Sequence, residues 1–171
     1  MKQGKGKDKI VYIVLVLGMM GLIFAFSAQP SEDSYQLSSY FVAIYAKIVE
    51  NLPFLPHSIQ ATLITKAGYY VRKLAHFIIY AGLGAITLVA LGQTKLKKNA
   101  GLSVTLGICM LYAITDEWHQ YYVAGRSARF VDVLIDTFGA LIGCLLVKWI
   151  KNSILKFDCY NKKKKYEKSK L

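Results

Sequence analysis

Apolar residues run along this chain in four blocks. The first, Ile10 to Phe26, holds no charge. The second, Leu74 to Gly92, holds His76 as its one ionisable group beside Tyr80. The third runs from Ala100 to Thr115, and the fourth, Phe130 to Val147, carries Asp132 and Asp136 in its first turns. A helix rises about 1.5 Å per residue and a bilayer core is about 30 Å thick, so blocks near 20 residues suit spanning helices. The first and third sit at the short end of that range.

Between the first two blocks the pattern changes. Ser27 to Ser34 is polar and broken by Pro30. From Tyr35 to Val49, apolar side chains recur at Leu37, Tyr40, Phe41, Ile44, Tyr45 and Ile48 with a polar opposite face. That helical spacing is too polar to span and suits a helix lying in the membrane interface. Packing against the other helices is an equally consistent reading. Asn51 to Pro56 reads as a turn, and a helical stretch from Ser58 leads through Tyr69 and Tyr70 to Arg72 and Lys73.

The pattern predicts an all-α integral membrane bundle of about four transmembrane helices with an outer-side interfacial helical segment. Residues 1–9 form an N-terminal segment. Residues 10–150 form the membrane domain, with spans near 10–26, 74–92, 100–115 and 130–147. Residues 151–171 form a basic tail, and disorder is expected from Lys148 onward. Ala25-Phe26-Ser27 also resembles a leader-peptide cleavage site, but the further spans favour a retained helix.

Composition agrees with the pattern. The 171 residues are 54% hydrophobic, above the 45–50% or so of soluble domains. The net charge of +12 raises nucleic acid as a partner, but its placement argues against one. Most of the 22 basic residues lie in the N-terminal segment, in the Gln93 to Asn99 loop and in the tail, not across a face with interleaved aromatics. With four spans these three segments share one side, which the positive-inside rule puts in the cytoplasm. The expected location is therefore a membrane crossed several times, with both termini on the cytoplasmic side. The tail can also cling to anionic inner-leaflet lipid. Cys109 and Cys144 fall in apolar runs and Cys159 in the tail, with no CxxC spacing. They read as small hydrophobes and not as a disulfide or zinc framework.

This orientation changes the meaning of the polar residues. All four spans bring polar groups to the outer third of the membrane: Ser27 and Gln29 from the first, Lys73, His76 and Tyr80 from the second, Asp116, Glu117, His119 and Gln120 from the third, and Arg126, Arg129, Asp132 and Asp136 leading into the fourth. Spacings of three and four put Lys73, His76 and Tyr80 on one stripe, Asp116, His119 and Gln120 on a second, and Arg129, Asp132 and Asp136 on a third. Three polar stripes at one depth predict a common inward pocket, since ionisable groups are expensive against lipid.

Three readings of that pocket stay open. In the first it is an ion network, with Arg126 and Arg129 against Glu117, Asp132 and Asp136, that locks the helices. In the second it binds metal, Asp116 and His119 having the carboxylate–histidine spacing of helix-bundle sites, with His76 as a further nitrogen. In the third it binds an anionic headgroup through the arginines and the lysine, with His76 or His119, next to Asp116 or Glu117, as acid or base. No nucleophile motif is present, so catalysis is not implied, and no cofactor is required.

Lys73-Leu74-Ala75-His76-Phe77, with Tyr80 and Gly82-Leu83-Gly84, resembles the first signature of the VanZ-like membrane protein family. Asp116-Glu117-Trp118-His119-Gln120, then Arg126, Arg129, Asp132-Val133, Asp136, Gly139 and Gly143, resembles its second, and Ser27 with Gln29 also fits. The resemblance runs from the first span to about Val147 and implies a small membrane protein of the bacterial envelope. The family takes its name from a protein linked to low-level teicoplanin resistance, and the resemblance implies no reaction. The expected partners are a membrane lipid or lipid-linked envelope precursor, with a glycopeptide antibiotic as a further one. A small transporter is the weaker alternative, because the inner halves of the spans lack polar groups.

Overall fold

A computed structural model describes residues 4–94 and 100–168. Residues 95–99 of the basic loop, the first three residues and the last three lie outside the described residues. The described residues form helices and no strands: α1 Gly4–Ser27, α2 Ser31–Glu50, α3 His57–Thr65, α4 Ala67–Gly92, α5 Ala100–Tyr121 and α6 Phe130–Lys168.

Three segments are long and apolar enough to cross a membrane: Lys9–Ser27 in α1, Ala67–Gly92 in α4 and Phe130–Asn161 in α6. Helix α5 is 22 residues long, but its last turns carry Asp116, Glu117, His119 and Gln120, which lower its hydropathy. Exposed apolar side chains cover much of α1, α4 and the first half of α6, as at Ile10, Val14, Leu17, Leu74, Ile78, Leu134 and Phe138. Such faces are stable against lipid and not against water.

Proline sets the entries to two helices. Pro30 and Pro56 stand at the N-caps of α2 and α3 in extended conformation, where the missing N–H costs nothing. Glu32 and Asp33 in the first turn of α2 complement its dipole. The helical stretch expected from Ser58 through Arg72 is interrupted at Lys66, whose φ of −95° and ψ of 8° end α3 and start α4. Arg72 and Lys73 thus belong to the same helix as His76 and Tyr80. At the other end, α6 continues through the stretch expected to be disordered. Residues 148–168 hold no Gly or Pro, so nothing breaks a helix already nucleated by the apolar block.

Helices α4 and α6 form the central pair. Gly139 and Gly143 lie on the α6 face against α4, and a Cβ at either would strike the carbonyl of Phe77 or Ala81. Small residues at this seam let the two backbones approach, which is how helices gain packing energy where lipid supplies no hydrophobic drive. The Cys144 thiol donates to the Gly84 carbonyl across the same seam (3.4 Å). Cys109 and Cys144 are buried free thiols and Cys159 is exposed.

Around the pair, α1 contributes Val16, Met19, Met20 and Ile23 to the core, a stripe at spacings of three and four. Fully buried Ser27 ends the stripe, so the residue of the leader-like motif is part of the packed bundle. The Tyr112 hydroxyl donates to the Met20 carbonyl and ties α5 to α1. Helix α2 packs beside α4 and buries Val49, while Tyr40, Phe41, Ile44 and Ile48 remain exposed.

Candidate functional site

The polar side chains gather at one end of the bundle, where α1 and α5 finish and α4 and α6 begin. The turn between α5 and α6 fixes this end. Gly125 takes a φ of +72°, a left-handed conformation that suits glycine. Its neighbour Ala124 accepts the backbone N–H of Ser31 (3.2 Å), docking the turn on the start of α2. The next residue, Arg126, is thereby aimed back over the bundle.

Arg126 donates through Nε to the Gln29 carbonyl (2.9 Å), through Nη2 to the Phe26 carbonyl (3.0 Å) and through Nη1 to Gln120 Oε1 (3.3 Å). Arg72 donates to the Ser31 carbonyl (3.4 Å). Exposed Arg129 donates to the Ser127 hydroxyl (3.2 Å) and lies over the Tyr69 ring (5.8 Å). All of these acceptors are uncharged. Among the described residues, no arginine of this group forms an ion pair with a carboxylate. Burial first, and then the cation of Arg72, hold the Arg126 guanidinium below the usual arginine range. The three arginines, with Lys73, His76 and Gln120, line a cavity of about 180 Å³.

The acids sit deeper and are used differently. Lys73 pairs with Asp132, and His76 Nδ1 lies 3.6 Å from Asp136 Oδ2. Asp116 Oδ2 accepts from the Ser27 hydroxyl (2.9 Å) and from Gln120 Nε2 (2.9 Å). Glu117 accepts the backbone N–H of Arg129 (2.8 Å), which satisfies a donor at the start of α6 and fixes that helix to α5. The expected ion network of Arg126 and Arg129 against Glu117, Asp132 and Asp136 is therefore not the pairing in the structure.

Most residues singled out in the sequence converge here: Ser27, Lys73, His76, Tyr80, Asp116, Glu117, Gln120, Arg126, Asp132 and Asp136. Gln29 contributes its carbonyl. His119 stacks on Phe24 of α1 (ring centroids 4.3 Å apart) and lines neither this cavity nor the groove beside it. Asp116 groups instead with His76 and Asp136, whose ligand atoms lie within 4.8 Å of one another. Arg72 and Tyr69 line the cavity without having been singled out. The available signal was their place in the stripe of His76 and Tyr80, at spacings of three and four.

A second, apolar groove of about 1050 Å³ opens beside the first cavity, between α1, α2 and α4. Its walls include Met19, Ile23, Phe41, Ile44, Ile48 and Ile78, and Arg72, His76 and Arg126 line both spaces. The cationic cavity thus adjoins the apolar groove, with these three side chains between them.

These features define a helical membrane protein with a charged pocket at one end of its bundle. Residues 11–151 match the sequence profile of the VanZ/LLP1 family, and the chain belongs to that family. No curated protein and no solved structure matches it significantly.

Proposed function

We propose that this chain binds a lipid-borne anion, a phosphate or phosphodiester headgroup of the bacterial envelope, in the arginine-lined cavity. One observation carries the reading. Arg72 and Arg126 are partly buried and held only by neutral hydrogen-bond acceptors, and the cation of Arg72 adds to burial in disfavouring the charge on Arg126. Paired guanidinium forks that make no direct ion pair match the donor geometry that phosphate oxygens require. The apolar groove adjoining the cavity favours an anion that carries a chain over a soluble one.

In this reading α5 is a fourth span. Its 22 residues rise about 33 Å, enough for the bilayer core. Both termini lie in the cytoplasm by the positive-inside rule. The cavity then faces the outer leaflet, with α2 at the interface. Holding or altering a cell-wall lipid there would lower susceptibility to glycopeptides such as teicoplanin. Unchanged susceptibility in both a deletion and an overexpressing strain would remove that consequence for this chain.

An enzyme acting on the same headgroup is the second reading. It is favoured by His76, which lines both spaces and faces Asp136, as an acid–base pair requires. His119 lines neither space. Titration of the purified chain with a polyprenyl phosphate, the uncharged prenol and inorganic phosphate tests the binding. The phosphorylated lipid is expected to bind at least tenfold more tightly than either comparison compound. Equal affinity for prenol and prenyl phosphate would refute the anion site. Release of phosphate or of a modified lipid would establish the enzyme.

A further inference from the structure

We infer that His76, Asp116 and Asp136 form a binding site for a divalent transition metal ion, beneath the arginine cavity and sharing only His76 with its lining. One ligand atom from each residue lies within 4.8 Å of the others. A metal bonded at about 2.1 Å to nitrogen and oxygen holds its ligands about 3–4 Å apart, so the set needs to close by only about an ångström. The three residues come from α4, α5 and α6, and the small-residue seam locks α4 to α6, which holds His76 and Asp136 near one point.

Charge points to the same occupant. Asp116 and Asp136 are 2% and 1% exposed, and two neighbouring carboxylates at that depth need a counter-charge. Lys73 is engaged by Asp132, and Arg126 is spent on carbonyls and Gln120. Glu117 is tied to the α6 backbone. The cation that pairs with this floor is His76, and its imidazole supplies at most one positive charge.

Unpartnered buried atoms are the independent sign. Asp116 Oδ1 and Asp136 Oδ2 have no hydrogen-bond partner, and neither has the hydroxyl of Tyr80. Tyr80 is fully buried one turn beyond His76, and its hydroxyl is within electrostatic reach of both aspartates. Buried polar atoms without partners are rare and call for an occupant. A cation would take the carboxylate oxygens, and the Tyr80 hydroxyl would bond to one of them or to a metal-bound water. An imidazole with two carboxylates suits Zn²⁺ or Mn²⁺ better than Mg²⁺ or Ca²⁺.

The test uses the full chain in detergent, free of any histidine tag. ZnCl₂ and MnCl₂ are titrated calorimetrically, and retained metal is counted by mass spectrometry. One ion per chain is expected, with a rise in thermal midpoint. Asp116→Asn and Asp136→Asn should each weaken binding at least tenfold, whereas Asp33→Asn on exposed α2 should leave it unchanged. Co²⁺ loading should give visible bands that change in His76→Gln. Absence of stoichiometric binding by the unaltered chain overturns the site whether or not any variant folds, and points to a proton shared by the two aspartates. Equal binding by the aspartate variants overturns it as well. Polyprenyl phosphate titration of Asp136→Asn reads the arginine cavity independently, so failure of one site is distinguishable from failure of the other.

Discussion

Two groups of like charge occupy the same end of the bundle and are handled in opposite ways. The rim of Arg72, Arg126 and Arg129 is held by carbonyls, an amide, a hydroxyl and a ring. The floor of Asp116 and Asp136 is sealed from solvent, and among the described residues its ion pair is the one between His76 and Asp136. A network built for stability would cross-pair rim and floor, because opposite charges in a low dielectric attract strongly. Here they are kept apart, with Gln120 as the bridge: its carbonyl accepts from Arg126 and its amide donates to Asp116. Charge held by neutral groups instead of ion pairs supports the proposal of a site that leaves part of its electrostatics for a ligand.

The largest effect should come from the scaffold that both regions share. Gly143→Ala places a Cβ against the Ala81 carbonyl, backbone that cannot give way. Separation of α4 from α6 should cost about 1–3 kcal/mol and weaken anion and metal binding together. Thermal unfolding in detergent measures the first and titration the second. If Gly143→Ala keeps its thermal midpoint, the seam is not what holds the site.

The next effect belongs to the rim. Arg126→Ala removes three charge-assisted donors and should weaken lipid-phosphate binding about 30-fold, equivalent to about 2 kcal/mol. Arg72→Ala, with its single long bond to Ser31, should cost about tenfold, and exposed Arg129→Ala about threefold. The reverse order, read from the same lipid titration, would move the centre of the site to the loop. The smallest effect should be Asp136→Asn, which should leave anion affinity within about threefold of the unaltered chain, since Asp136 lines neither the cavity nor the groove. A loss as large as that of Arg126→Ala would show one network instead of two regions.

Much of this was legible in the sequence, for identifiable reasons. Uninterrupted apolar blocks marked the membrane helices, because length and hydropathy alone decide whether a segment suits lipid. The stripe of Lys73, His76 and Tyr80 was legible because helical spacing fixes which residues share a face. Spacing was less decisive for His119. Three residues leave about 60° of rotation between side chains, enough to send Asp116 to Ser27 and His119 to Phe24. Arg72 was read as the flank of a span, because nothing local separates a charge that ends a helix from one that faces a pocket. The apolar groove depends on how α2 stands beside α1 and α4, a tertiary relation with no local signal. The extension of α6 beyond Lys148 was hidden by its lysines, which read as solvated tail although they are good helix formers.

The central claim is that the rim holds the headgroup of a lipid. Native mass spectrometry of the chain released from its membrane, beside an Arg72→Ala/Arg126→Ala variant, tests it most directly. The account predicts one phosphate-bearing lipid per unaltered chain and its loss from the double variant. A bare unaltered chain, or the same lipid retained at the same occupancy by the variant, would contradict it.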